Sequence, residues 1–186
     1  MSQLSREELK NLVLTIPDKF HWRQTTSHQF KNFLIDNFYD SKCDVLEVGC
    51  HKGHTSLILS HLFKNVFAIN KNPPSSEFPQ RDNITYEHMN SYEDPWKISK
   101  WKRCNVVLID CVHEFTEVKK DTKNALKLSP KFLIYDDYGD KRFPGVKRFV
   151  DEFVKEEKPK KVTKFGLPRN TKWIEYMDTE GVLIEL

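Results

Sequence analysis

The spacing of apolar residues changes several times along the chain, and each change marks an element. Near the start, Leu9, Leu12 and Leu14 follow the capping-box sequence Ser5-Arg-Glu-Glu8, and Pro17 closes the segment, which predicts a short first helix. Thr26-Ser27 can cap a second helix, Ser27 to Phe38, with Phe30, Phe33, Leu34 and Phe38 on one face. From residue 44 onward short apolar runs alternate with amphipathic stretches. Asp44 to Val48, Val66 to Ile69, Ile84 to Met89, Asn105 to Ile109 and Phe132 to Tyr135 read as strands. Thr55 to Phe63, Trp96 to Trp101, Glu114 to Leu128 and Gly145 to Lys155 read as helices. Lys71 to Asn83 carries Pro73, Pro74 and Pro79 and reads as a loop.

The tail is different. Trp173 to Met177 and Val182 to Leu186 flank Asp178-Thr-Glu-Gly181, a hairpin signal, and Val162 to Phe165 is a third strand candidate. Which two of the three enter the main sheet stays open at this point. The alternation of strands and helices predicts an α/β fold. It would be a Rossmann-like, seven-stranded, mostly parallel sheet with helices on both faces and a C-terminal antiparallel hairpin. Continuous apolar strands such as VVLI and FLIY fit burial on both faces. One domain is expected over residues 1–186, with N-terminal helices in 1–40, an α/β core in 44–156 and C-terminal strands in 161–186.

Composition narrows the class. Thirteen Phe and four Trp supply core volume, and 31% charged residues of both signs argue for a globular chain. The net charge of +3 is too small to demand nucleic acid, and the basic stretch Lys155 to Lys164 is interrupted by acids and a Pro. No apolar run approaches 18 residues and the polar start MSQLSREELK is no secretory signal, so no membrane association and a cytoplasmic setting are expected. Cys43, Cys50, Cys104 and Cys111 form no CxxC pair and read as small strand-end or buried residues of a reducing compartment.

In open α/β sheets ligands bind beyond the carboxyl ends of the strands, and the chemically loaded stretches fall there. The first is Val45-Leu-Glu-Val-Gly-Cys-His-Lys-Gly-His-Thr-Ser56. Gly49 permits a sharp turn, and the helix opening after Gly53 offers free N–H groups to an anion. With only Gly49 and Gly53, the three-glycine dinucleotide fingerprint is incomplete. The stretch resembles motif I of class I S-adenosylmethionine-dependent methyltransferases, apolar-Glu/Asp-apolar-Gly-x-x-x-Gly. The resemblance spans about Asp44 to Phe153. It implies S-adenosylmethionine as cofactor, held around Glu47, Gly49, Cys50, His51, Gly53, Thr55 and Ser56. Asn70 stands where the family has the acid that binds the ribose hydroxyls; an amide can donate to and accept from a hydroxyl without a carboxylate's charge. Asn90-Ser91 matches the place where relatives meet the adenine edge.

Asp110-Cys-Val-His113 and Asp136-Asp137 follow two buried strands that a parallel sheet makes neighbours. Three carboxylates converging there would suit Mg²⁺, which prefers oxygen ligands and retains water. The arrangement resembles the metal-dependent O-methyltransferases of the catechol and caffeoyl-CoA type and those of macrocin and other sugars. That resemblance implies Asp110, Asp136 and Asp137 as ligands of Mg²⁺ (or Mn²⁺), with Asp110 also beside the cofactor. His113 takes the place of the catechol enzymes' general-base Lys, and imidazole suits proton abstraction near neutrality.

The resemblance implies a small-molecule or glycan hydroxyl as acceptor, a sugar first, with Tyr138, Arg142, Phe143 and Trp173 able to flank it. His51 and His54 are not expected to bind metal. A nucleic-acid methyltransferase is the alternative. Asn72-Pro-Pro74 is similar to the NPP motif of base N-methyltransferases, yet it follows the second strand rather than the fourth, and no basic stripe with aromatics accompanies it. A non-catalytic cofactor-binding protein is a further alternative, favoured by Asn70 and opposed by the intact acids. A homodimer through the N-terminal helices or the terminal hairpin is compatible with the sequence.

Overall fold

In the computed structural model, which describes residues 4–19, 25–166 and 177–186, seven strands form one sheet in the order β3-β2-β1-β4-β5-β7-β6. They are β1 (Asp44–Val48), β2 (Val66–Asn70), β3 (Ile84–His88), β4 (Cys104–Ile109), β5 (Phe132–Tyr135), β6 (Lys161–Phe165) and β7 (Gly181–Glu185). The first five pair in parallel and β7 runs antiparallel between β5 and β6. The hairpin therefore joins the 161–165 candidate to the final segment. The candidate at Trp173 to Met177 lies outside the described residues except for Met177, which bridges to Asp140. The edge strand β6 is mostly exposed and carries Lys161 and Lys164, charges that discourage pairing with another chain.

Among the described residues six helices flank the sheet: α1 (Arg6–Thr15), α2 (His28–Phe38), α3 (His54–Leu62), α4 (Ile98–Trp101), α5 (Phe115–Leu126) and α6 (Pro144–Glu157). Ser5 and Glu8 close the expected capping box on α1. The Ser27 hydroxyl accepts from the Phe30 N–H at 3.0 Å to cap α2, and Pro144 opens α6, where its missing N–H costs nothing. Alternation along the strands divides two cores. Val106, Leu108 and Ile134 face α1, α2 and α3; Val107, Ile109, Leu133 and Tyr135 face α5 and α6. Phe165 of β6 stacks on Phe33 and touches Phe30, tying the hairpin to α2.

The first helix, α1, buries one face. Of its apolar residues, Leu14 is 68% exposed, whereas Leu9 and Val13 are fully buried. Positions 9 and 13 lie four apart on one helical face, and residue 14 is turned about 100° away from 13. Among the described residues no helix is long and apolar enough to cross a membrane.

The strand order reverses between β1 and β4, so the crevice that such sheets use for ligands opens there. Cutting Leu9 to Ala is expected to cost about 2–5 kcal/mol of stability, and Leu14→Ala to stay within about 0.5 kcal/mol. Urea unfolding of both variants checks the assignment of the buried face.

Candidate active site

Pairing fixes which residues share the rim. Val48 is level with Ile69 and with Ile109, and Ile109 with Tyr135. The residues that follow, Gly49, Asp110 and Asp136, therefore emerge side by side at the carboxyl ends, with Asn70 closing β2. Gly49 has φ +94°, and a Cβ there would stand 1.8 Å from the Asp110 carbonyl oxygen, so the β1 turn and the end of β4 can abut only through glycine. A cavity of about 750 Å³ opens over this rim, a size that suits a cofactor-sized ligand. It is lined by Gly49, His51, Asn70, Asp110, His113, Asp136 and Asp137 from the predicted set. Cys111 and Val112 also line it, as do Lys19, Thr25 and Met177, which no motif indicated. Those last three arrive from chain segments far from the strand ends.

Other predicted cofactor residues do not line the cavity. Glu47 points into the protein, is 2% exposed and accepts the Ser56 hydroxyl. That pair braces the start of α3 against β1. Cys50 is buried with Ala68 and Phe78, and Gly53 lies beneath Phe78 and Pro79 of the 71–83 loop. Thr55 shares a 3.0 Å hydrogen bond with Thr26. Asn90 is engaged with Glu93 and Asp94, and Ser91, 2% exposed, turns its hydroxyl to Cys111. A glycine turn joins β1 to α3 as the spacing implied, and whether each side chain there turns inward or outward is set by packing. None of the four cysteines is paired in a disulfide.

The acids at the far end of the cavity do converge, though not as the sequence implied. Lys19 Nζ stands 2.7 Å from Asp136 Oδ2, 2.8 Å from Asp137 Oδ1 and 3.5 Å from Glu180 Oε1. Asp136 is thus occupied by an ammonium. Among the described residues, Asp110, His113 and Asp137 form a cluster whose possible ligand atoms all lie within 4.8 Å of one another. His113 Nε2 lies 3.0 Å from Asp137 Oδ2 and 3.7 Å from Asp110 Oδ1. Asp137 adopts φ +57°, a left-handed conformation that Asp tolerates better than most residues, which turns it away from the run of β5. Phe143 stacks on the His113 ring with centroids 4.2 Å apart. Gly145 lets α6 approach the loop carrying His113, since a Cβ there would stand 2.5 Å from the His113 carbonyl oxygen.

Charge sets the protonation states. Burial disfavours the His113 cation, but Asp110 and Asp137 outweigh it and push the imidazole up to about 10. With its proton, His113 is a counter-ion to the acids; acting as the expected general base or as a metal ligand requires that proton to leave first. Burial also raises Asp137, yet Lys19 and His113 hold it below the usual carboxylate range; burial and like charges keep Asp136 above that range. Tyr138 is not among the residues lining the cavity. It is 2% exposed and donates to Asp151 at 2.6 Å. Arg142, held by Asp140, and Phe143 do line the cavity, and Trp173 lies outside the described residues.

Glu47 gives a pH signature. Burial pushes its carboxyl up to about 8 against the opposing Ser56 hydrogen bond, from 4.5 when unperturbed. The fold retains a proton that the unfolded chain releases, so this group removes stability as pH rises from about 4.5 to 8. Glu47→Gln is expected to flatten the decline of the denaturation midpoint in that window, by up to ~1.4 kcal/mol per pH unit. Asp121, fully buried and raised to about 7, has the same sign and leaves a residual slope. Urea titrations at stepped pH measure both.

No protein-family model matches the chain, and no curated protein matches it. Solved structures do. Precorrin 8W decarboxylase of Methanobacterium thermoautotrophicum aligns over 92% of each chain at 16% identity, with a TM-score of 0.62. A Streptococcus mutans protein in complex with S-adenosylhomocysteine aligns over 100% of this chain and 99% of its own at 15% identity, TM-score 0.56. The MycE methyltransferase of the mycinamycin biosynthetic pathway was solved with Mg, S-adenosylhomocysteine and mycinamycin VI. It aligns over 98% of this chain and 54% of its own at 10% identity, TM-score 0.60. At such identities the likeness establishes the fold: this chain has the Rossmann-like fold found in methyltransferases.

Proposed function

We propose that the chain is an S-adenosylmethionine-dependent methyltransferase acting on a hydroxyl of a sugar, glycan or small diol, with a divalent ion at Asp110, His113 and Asp137. The observation that carries this reading is one continuous cavity with a glycine turn and Asn70 at one end and the acid–imidazole cluster at the other. Structures of the same fold that hold S-adenosylhomocysteine, one of them also with Mg, support it.

The cofactor, when bound, supplies an activated methyl group. Gly49 leaves backbone space for it, Asn70 can both donate to and accept from ribose hydroxyls, and Cys111 and Val112 offer a weakly polar wall for the adenine. The donor atoms at the other end fit a small divalent ion. Adjacent ligands on a compact octahedral ion lie about 3 Å apart, as His113 Nε2 and Asp137 Oδ2 do at 3.0 Å. An imidazole among the ligands favours a transition ion such as Mn²⁺ over Mg²⁺. A divalent ion held there supplies Lewis acidity to an acceptor hydroxyl. Phe143 covers one face of His113 and limits water on that side.

Calorimetry is expected to show S-adenosylmethionine binding that weakens about tenfold in Asn70→Ala, the loss of one or two hydrogen bonds. Asp137→Asn is expected to reduce S-adenosylhomocysteine release in an acceptor screen by about 100-fold or more, with cofactor affinity changed less than about threefold. Full turnover by Asp137→Asn would end the metal-assisted hydroxyl reading, and failure of the unmodified chain to bind the cofactor would end the wider one.

A further inference from the structure

Lys19 comes from the segment between α1 and α2, yet its side chain reaches the acid cluster and is only 8% exposed. Its ammonium has three N–H donors, and three carboxylate oxygens surround it, from Asp136, Asp137 and Glu180. Glu180 is fully buried and fixed elsewhere, accepting the Ser27 N–H at 2.7 Å as well as the Ser27 hydroxyl. The lysine is therefore clamped rather than swinging in solvent. Asp137 is the divide: one oxygen faces Lys19 and the other faces His113. Asp136 is 3% exposed, and its Oδ1 has no hydrogen-bond partner among the described residues although the residue borders the cavity. A buried carboxylate oxygen left without a partner marks ligand capacity that the fold has not used.

We propose that Lys19 is a built-in cation that claims Asp136 and half of Asp137, and so determines which side chains of the cluster remain for a divalent ion. With Lys19 in place the ion is confined to Asp110, His113 and Asp137. Without it, Asp136, with its unpartnered oxygen, joins the ligand set, because the repulsion between two neighbouring cations is gone and three acids share one charge deficit. Lys19 is a specificity-determining residue for the cation and touches no reacting atom. The inference rests on the proposed metal site, and the experiment separates the two.

Mn²⁺ binding to the full chain is followed by the electron-paramagnetic signal of the free ion at neutral pH, with S-adenosylhomocysteine present. Expected for the unmodified chain is one site, weakened at least tenfold by Asp137→Asn and less than about threefold by Asp136→Asn. Lys19→Met is expected to tighten Mn²⁺ at least tenfold, and in that background Asp136→Asn is expected to cost at least tenfold. Lys19→Arg, which keeps the cation, is expected to behave as the unmodified chain. Lys19→Met loses a buried counter-ion, so its melting temperature is read alongside; it is expected to fall and to recover with Mn²⁺ more than that of the unmodified chain. Unchanged Mn²⁺ affinity and no Mn²⁺ recovery of melting temperature in Lys19→Met would overturn the inference. So would equal losses from Asp136→Asn with and without Lys19. Mn²⁺ binding by Lys19→Met alone would uphold Lys19 as the resident cation while ending the proposed Asp110–His113–Asp137 site.

Discussion

Parallel backbone pairing across β2, β1, β4 and β5 brings four strand ends to one level, and the chemistry of the molecule hangs from that rim. In a sheet buried on both faces a one-residue slip would swap every inward side chain, so the register is strongly held. Gly49, Asn70, Asp110 and Asp136 occupy the rim because each directly follows or closes a strand locked in this way. The reversal of strand order between β1 and β4 leaves the crevice into which the same residues open.

The rim concentrates charge where water is scarce, and the fold answers with cations from distant segments. Moving a carboxylate out of water costs several kcal/mol unless it is paired, so Asp136, Asp137 and Glu180 would oppose folding without Lys19. Lys31, fully buried on α2, donates to Thr25 at 3.1 Å and is pushed down to about 8 by burial, which weakens it as a second counter-ion. His113 supplies the other positive charge. The balance explains why Asp137, between Lys19 and His113, stays ionised while Asp136 is held nearer the neutral form.

A second layer of polar residues supports the rim without reaching it. Glu47 and Ser56 tie β1 to α3, Thr55 ties α3 to the segment before α2, and Ser91 leans on Cys111. These residues hold the shape of the cavity, and their types in the motif reflect that bracing as much as contact with a ligand. Gly145 and the Phe143 stack act similarly on the far side by fixing the loop that presents His113.

The sequence by itself determined the element order, the α/β class, the glycine turn at the end of β1 and the two acidic strand ends, because periodicity and turn chemistry are local. It also located Asp110, His113 and Asp137 near one another, since neighbouring parallel strands follow from alternating elements. It did not reveal that Leu14 faces outward, that an ammonium sits on Asp136, or that Asp110 and Asp137 close around His113. Only the tertiary structure decided those. Lys19 carries no motif and meets Asp136 across 117 positions of chain, and a proton on His113 depends on two carboxylates closing around it. Long-range ion pairs of this kind are set by how the N-terminal segment and β7 pack on the sheet, and no window of local sequence contains that information.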